Sequence, residues 1–299
     1  MSNAYTKRAD RLFSGSARTA AFAILALLGA VAIFLIISSQ NAFLTSSDTI
    51  RESVSFARGM NFWEFAAAAV FGTLLAAIIA LAIAVPFAVA IALFISHYAP
   101  RKFAAIFGYV IDLLAAIPSV VFGLWGMWTL EPFLRPIFFL IPGFIPPARN
   151  ILMGGIVLAI MILPIITSLC REVFLQTPRL HEEAALGLGA TRWEMIRMVV
   201  LPYGRSGIVS ASMLGLGRAL GETMALLMVL SPGLLINFNI ASPGQHSTIA
   251  SQIALRFPEA SGLSSDFLIA LGLILFIITF AVNFMARAIV ARKTIGAQA

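Results

Sequence analysis

Residues 65–95 read FAAAAVFGTLLAAIIALAIAVPFAVAIALFI, a run without one charged side chain. A helix rises 1.5 Å per residue, and about 20 apolar residues cross the hydrocarbon of a bilayer, so this stretch is long enough to span. It is apolar on every face, whereas a barrel strand alternates over short segments. Five further runs approach or reach that length: Thr19 to Ser38, Phe103 to Leu130, Ile151 to Cys170, Gly207 to Leu230 and Phe267 to Ile289. Of the 299 residues 60% are apolar and 11% charged, against about 25% charged in a soluble domain. The sequence therefore predicts an all-α polytopic membrane protein with six transmembrane helices. Its expected layout is a tail over 1–18, one membrane domain over 19–289 and a tail over 290–299. The first run follows Lys7, Arg8, Arg11 and Arg18 and lacks a small-x-small cleavage site before Gln40, so it reads as a retained anchor.

Basic residues of short loops stay on the cytoplasmic side of a membrane. With the N-terminus inside, fourteen Lys and Arg fall inside and five outside (Arg51, Arg58, Arg135, Arg149 and Arg256), and Arg218 lies within a span, which accounts for all 20. Both termini are expected to be cytoplasmic. The net charge of +7 follows from this bias and from attraction to anionic lipid, and implies no nucleic-acid partner.

The catalytic inventory is sparse. Cys170 is the single cysteine, so one chain can form neither a disulfide nor a cysteine metal cluster. His97, His181 and His246 are scattered outside any H-E-x-x-H, and Lys7, Lys102 and Lys293 sit outside any phosphate-binding loop. A polytopic membrane enzyme, the alternative of a different class, would need clustered His, Asp or Ser at a membrane face, and none is visible.

Pro132, Pro136, Pro142, Pro146 and Pro147 crowd the segment from Glu131 to Asn150 and argue against a continuous helix there. A second external segment, Ser231 to Asp266, holds a short helix around Thr248 to Arg256. Pro86, Pro118 and Pro164 fall inside spans and are expected to kink them. In the loop from Arg171 to Arg205, Thr177-Pro178 reads as a helix cap and first turn. Gly187 and Gly189 supply a stop. Thr191-Arg192-Trp193-Glu194 is a capping box for a second short helix ending at Pro202.

Glu183-Ala184-Ala185, then Gly189, then Val199-x-Leu201-Pro202 resembles the EAA loop of permease subunits of bacterial ABC importers. The resemblance implies a type I ABC importer permease architecture in which this loop is a coupling helix docked on an ATPase. The coupling residues would be Glu182, Glu183, Ala184, Ala185, Gly189, Leu201 and Pro202. The plain alternative is an amphipathic surface helix with a glycine stop.

Gly217-Arg218-Ala219-Leu220-Gly221-Glu222-Thr223-Met224-Ala225 and Ala116-Ile117-Pro118-Ser119-Val120-Val121-Phe122-Gly123 are similar to two signatures of phosphate-importer permeases. Gly-Glu-Thr followed by Met-Ala, and Ser251-Gln252-Ile253-Ala254, look like the PstC branch. The family implies a substrate pathway through Arg218, Glu222, Thr223 and Ser119. It also implies a PstA-like second permease, two PstB-like ATPases that carry the ATP and Mg²⁺, and an extracytoplasmic PstS-like binding protein. No cofactor is expected on this chain, and the implied place is the bacterial inner membrane. Another oxyanion, molybdate or sulfate, is the alternative cargo.

Arg218 is unusual on physical grounds as well. It lies about 16 Å along the helix from Gly207, near mid-membrane, where a charge costs on the order of 2.5–3.5 kcal/mol. Glu222, four residues on, is placed by helical periodicity to pair with it, either as a neutral pair that permits insertion or as part of an anion path. Gly217 and Gly221 have the spacing that lets a neighbouring helix approach closely.

Overall fold

The computed structural model describes residues 2–141 and 144–295; Pro142 of the proline-rich segment and 296–299 of the expected tail lie outside it. The chain runs α1 (Ser2–Leu44), α2 (Ser47–Ser53), α3 (Phe62–Leu93), α4 (Arg101–Ala115), α5 (Ser119–Trp125), α6 (Glu131–Phe138), α7 (Ile151–Leu175), α8 (Arg179–Gly187), α9 (Arg192–Met195), α10 (Leu201–Leu220), α11 (Met224–Val229), α12 (Ile249–Arg256) and α13 (Leu263–Ile295). No strand occurs among the described residues.

Four segments are continuous, apolar and long enough to cross a membrane: Phe13–Leu44, Phe62–Tyr98, Ile151–Leu175 and Leu263–Met285. The other two expected spans are broken. The third is not one rod from Phe103 to Leu130: α4 stops at Ala115, and the chain restarts at Ser119 after a bend of 91°. Pro118 is the cause, since it donates no hydrogen bond and disfavours helical geometry at Ile117. The fifth, expected over Gly207 to Leu230, ends at Leu220 and resumes as α11, with Gly221 at the break. The N-terminal helix is already formed at Ser2, ahead of the expected span start at Thr19.

Three helical turns widen to the i→i+5 pattern, at Phe94–Tyr98, Gly126–Leu130 and Ile196–Val200. Each ends two residues before a proline: Pro100, Pro132 and Pro202. Ala99, Glu131 and Leu201 donate the wide bonds to Phe94, Gly126 and Ile196. A proline ring collides with the carbonyl four residues back, and widening the turn before it relieves that contact and takes up the missing donor. The helix after Thr191 therefore does not stop at Pro202, as its sequence suggests. It continues as α9, the wide turn and α10 to Leu220. By the same device the chain passes Pro132 into α6, and Pro136 lies inside that helix.

The centre of the molecule is α3 against α7. Ala76, Ala80, Ala84, Ala88 and Ala92 form a fully buried stripe at helical spacing on α3. A Cβ on Gly155 of α7 would stand 2.4 Å from Ile79. Between apolar helices in lipid, such small residues permit the close approach that supplies van der Waals contact. α1 packs on α13 and shows most of its surface outward. At the end of the bundle away from α8, Phe267 is edge-on to Phe56, Phe62 and Phe65, which ties α13 to the start of α3.

The segment between α11 and α12 folds back into the bundle. Leu152 donates to the Ile240 carbonyl, Asn150 Nδ2 to that of Ala241 at 2.7 Å, and the Ile249 amide to Thr73 Oγ1 on α3. Thr248 caps α12, as the expected short helix requires. The backbone of this segment lies directly on Gly72, where a Cβ would be 2.2 Å from the Ser247 carbonyl oxygen. Gly72→Val is expected to push the segment off α3, at an overpacking cost of about 1–3 kcal/mol. A lower unfolding midpoint of the detergent-solubilised protein tests this, and an unchanged midpoint would refute the contact.

Candidate functional site

Two places stand out, a helix projecting from one end of the bundle and a helix break inside it. The projecting element begins where α7 ends at Leu175. Thr177 does not cap α8: its hydroxyl is buried without a partner, and Pro178 occupies the cap position. None of the residues of α8 is buried. Gly189 ends it at φ +89°, with Ala190 donating to Ala185 and Gly189 to Leu186, the paired bonds of a glycine-terminated helix. Gly187 is simply the last helical residue.

Thr191 then starts α9 with the expected reciprocal cap. Its amide, and then its hydroxyl, donate to Glu194 and hold that carboxyl below the usual range. Leu180, Leu188 and Trp193 stand exposed around this turn, Leu188 at 90%. Such an apolar patch outside the spanning segments marks an interaction surface. Glu183 and Ala184 are exposed and Ala185 is half-buried. Glu182 differs, because it turns toward the bundle with Oε1 3.5 Å from His97 Nε2. Leu201 and Pro202 belong to the start of α10.

The break lies at Gly221-Glu222-Thr223. Glu222 is buried and accepts from the Ala225 amide, so it caps α11, while Thr223 donates to the Gly221 carbonyl. The pairing expected between Arg218 and Glu222 is not formed. Residues four apart share a face only on a continuous helix, and α10 ends between them. Arg218 instead lines a cleft of about 320 Å³ with Gly217, Leu214, Met213, Ile165 and Asn283. Among the described residues a Cβ added at Gly217 would meet nothing within 4 Å and one at Gly221 only the Gly217 carbonyl, so the side of these glycines that a side chain would occupy is open.

Ser119 opens α5, which packs on α11 with Gly123 against the Ala225 backbone. The two interrupted segments are thus neighbours. The guanidinium presents a planar fork of donors at this cleft, a geometry that matches the oxygens of an oxyanion. Among the described residues no group of three or more His, Cys, Asp or Glu could hold a metal ion.

Several further polar residues brace the bundle; of these Asp112 reads from the sequence as structural, and Glu131 and Asn150 were not singled out there. Glu131 is buried, binds Arg135 at 2.8 Å and accepts from the Ala148 amide. Asp112 accepts from Ser168 across α4 and α7. Asn150 caps α7, which an Asn directly before an apolar run could have signalled. Nothing local marks His97.

The family described as "Binding-protein-dependent transport system inner membrane component" matches residues 84–295. The phosphate transport system permease protein PstC 2 of Mycobacterium tuberculosis is 44% identical over 97% of this chain and 94% of its own length. PstC of Mesorhizobium japonicum is 41% identical over 95% and 90%. Among solved structures, a bacterial alginate ABC transporter in complex with its alginate-loaded periplasmic protein superposes with TM-score 0.58 at 16% identity, covering 91% of this chain and 95% of that one. An inward-facing methionine ABC transporter gives 0.54 at 17%, covering 77% and 93%. The helical fold is shared.

Because Gly189 holds a left-handed conformation that costs an L-residue roughly 1–2 kcal/mol, Gly189→Ala is expected to loosen the α8 stop. Limited proteolysis within 186–192 should speed up severalfold with the membrane-inserted amount unchanged. Equal cleavage rates would show that the turn does not depend on that conformation.

Proposed function

The chain belongs to the family of binding-protein-dependent transport system inner membrane components, and we propose that it is the subunit through which an ATP-driven importer moves inorganic phosphate. The identity with phosphate permeases along nearly the whole chain carries this reading. As a permease it is a translocation subunit, so ATP hydrolysis belongs to separate ATPase subunits that hold the nucleotide and Mg²⁺. The partners are two PstB-like ATPases, a PstA-like second permease on the open Gly217–Gly221 face, and a PstS-like binding protein that delivers phosphate from outside. Both termini lie in the cytoplasm of a bacterial cell, and α8 with its exposed Leu180, Leu188 and Trp193 docks on an ATPase.

The mechanism follows from two features. The helix from Arg192 to Leu220 is continuous, so displacement at the coupling turn travels along one rod to the break beside Arg218. At the break, the guanidinium offers a planar fork of donors to phosphate oxygens. Its charge is costly in hydrocarbon, and an arriving anion or water offsets that cost. Thr223 and Ser119 open the adjoining half-helices, and Glu222 takes a proton-bearing oxygen of hydrogen phosphate as acceptor while it caps α11. Sulfate at neutral pH has no proton to give, and a site left with an unpaired acceptor rejects it.

In reconstituted complexes Arg218→Gln is expected to lower phosphate uptake at least about tenfold, the loss of roughly 1.4 kcal/mol of charge stabilisation, with assembly unchanged. Normal uptake would remove Arg218 from the pathway. For orientation, a reporter fused after Ile289 should read as cytoplasmic and one within 231–266 as external. The reverse pattern would overturn the coupling arrangement.

A further inference from the structure

His97 sits in the wide turn Phe94–Tyr98 that closes α3, far in sequence from the projecting α8. Ser96 fixes the ring: its hydroxyl lies 2.8 Å from the Ala92 carbonyl and is hydrogen-bonded with His97 Nδ1 at 2.7 Å. Nε2 then faces Glu182 Oε1 of α8 at 3.5 Å. Both side chains are largely shielded, at 9% and 21% exposure, which strengthens the contact over a surface pair.

Little else fastens α8. None of its residues is buried, and among the described residues this is the one side-chain polar contact that ties it to another part of the bundle. α3 in turn packs chiefly on α7, the helix with the most buried span in the molecule.

We propose that His97 is a positioning residue that joins the coupling helix to α3. Motion of α8 then enters the membrane by two routes, along the Arg192–Leu220 rod and through Glu182–His97 into the α3–α7 pair. Without the second route α8 can shift while α3 stays, and ATP is hydrolysed without transport. This rests on the reading of α8 as the ATPase dock, and the test separates the two.

In the assembled importer, reconstituted in liposomes with its ATPases, partner permease and binding protein, ATP hydrolysed and phosphate imported are measured together. His97→Ala is expected to raise ATP consumed per phosphate several-fold with assembly and binding-protein affinity unchanged. Glu182→Ala should do the same, and the double variant should be no worse than either single one. His97→Gln, which can place a donor amide where Nε2 stands, should recover most of the coupling. A mere packing role would lower assembly or thermal stability and leave the ratio alone. An unchanged ratio in His97→Ala overturns the proposal. If Gly189→Asp, which disrupts the dock itself, nevertheless uncouples, only the link to α3 is lost; if Gly189→Asp also transports normally, the docking reading falls with it.

Discussion

A backbone amide or carbonyl inside a bilayer has no water to bind, so irregular chain is tolerated only where protein or a wet cavity surrounds it. This constraint explains the architecture around the two interrupted segments. Near Pro118 and at Gly221 the helical ladder fails at the depth of a span, and both failures are repaired locally. Val121 donates to the Pro118 carbonyl, Glu222 accepts from Ala225, and Thr223 donates to Gly221. The half-helices that follow, α5 and α11, cover each other through Gly123 and Ala225. The buried return from α11 to α12 is satisfied in the same way, by Thr73, Asn150 and Ser247.

The breaks create the functional opportunity. Had α10 run on to Leu230, Arg218 and Glu222 would neutralise one another on one face. Because it ends at Leu220, the carboxylate is turned into a helix cap, and the guanidinium is left beside a cleft. One interrupted ladder thus converts a self-cancelling ion pair into a charge available to an anion. The surrounding rigidity comes from the alanine stripe of α3 on α7, since closely packed helices have little room to absorb a displacement.

Prolines organise the mechanical path. In an ordinary helix Pro202 would break or kink the chain at a cost of about 3 kcal/mol. The widened turn ahead of it keeps the rod whole between the projecting turn and the break. The same device before Pro100 forms the turn that carries His97, the residue facing Glu182 of α8. Proline therefore both cuts the chain, at Pro118, and preserves it, at Pro202, according to whether the preceding turn can widen.

The membrane class, the alternative of barrel or helix, the Gly189 stop, the Thr191 cap, the Thr248 helix and the EAA and phosphate-permease signatures were legible in the sequence. They depend on composition, on periodicity or on residues within one turn of each other. Which of the six expected spans are interrupted was not legible, because hydropathy registers length and apolarity but not whether a backbone ladder survives a proline or a glycine. Thr177 failed as a cap because packing buried its hydroxyl, and the Arg218–Glu222 pair failed because helical register ended between them. The His97–Glu182 contact, the Asp112–Ser168 bond and the seating of 231–248 on Gly72 join residues far apart in the chain. Only the tertiary packing of α3, α4 and α7 brings these groups within reach, since distance along a sequence says nothing of which faces of two helices will meet.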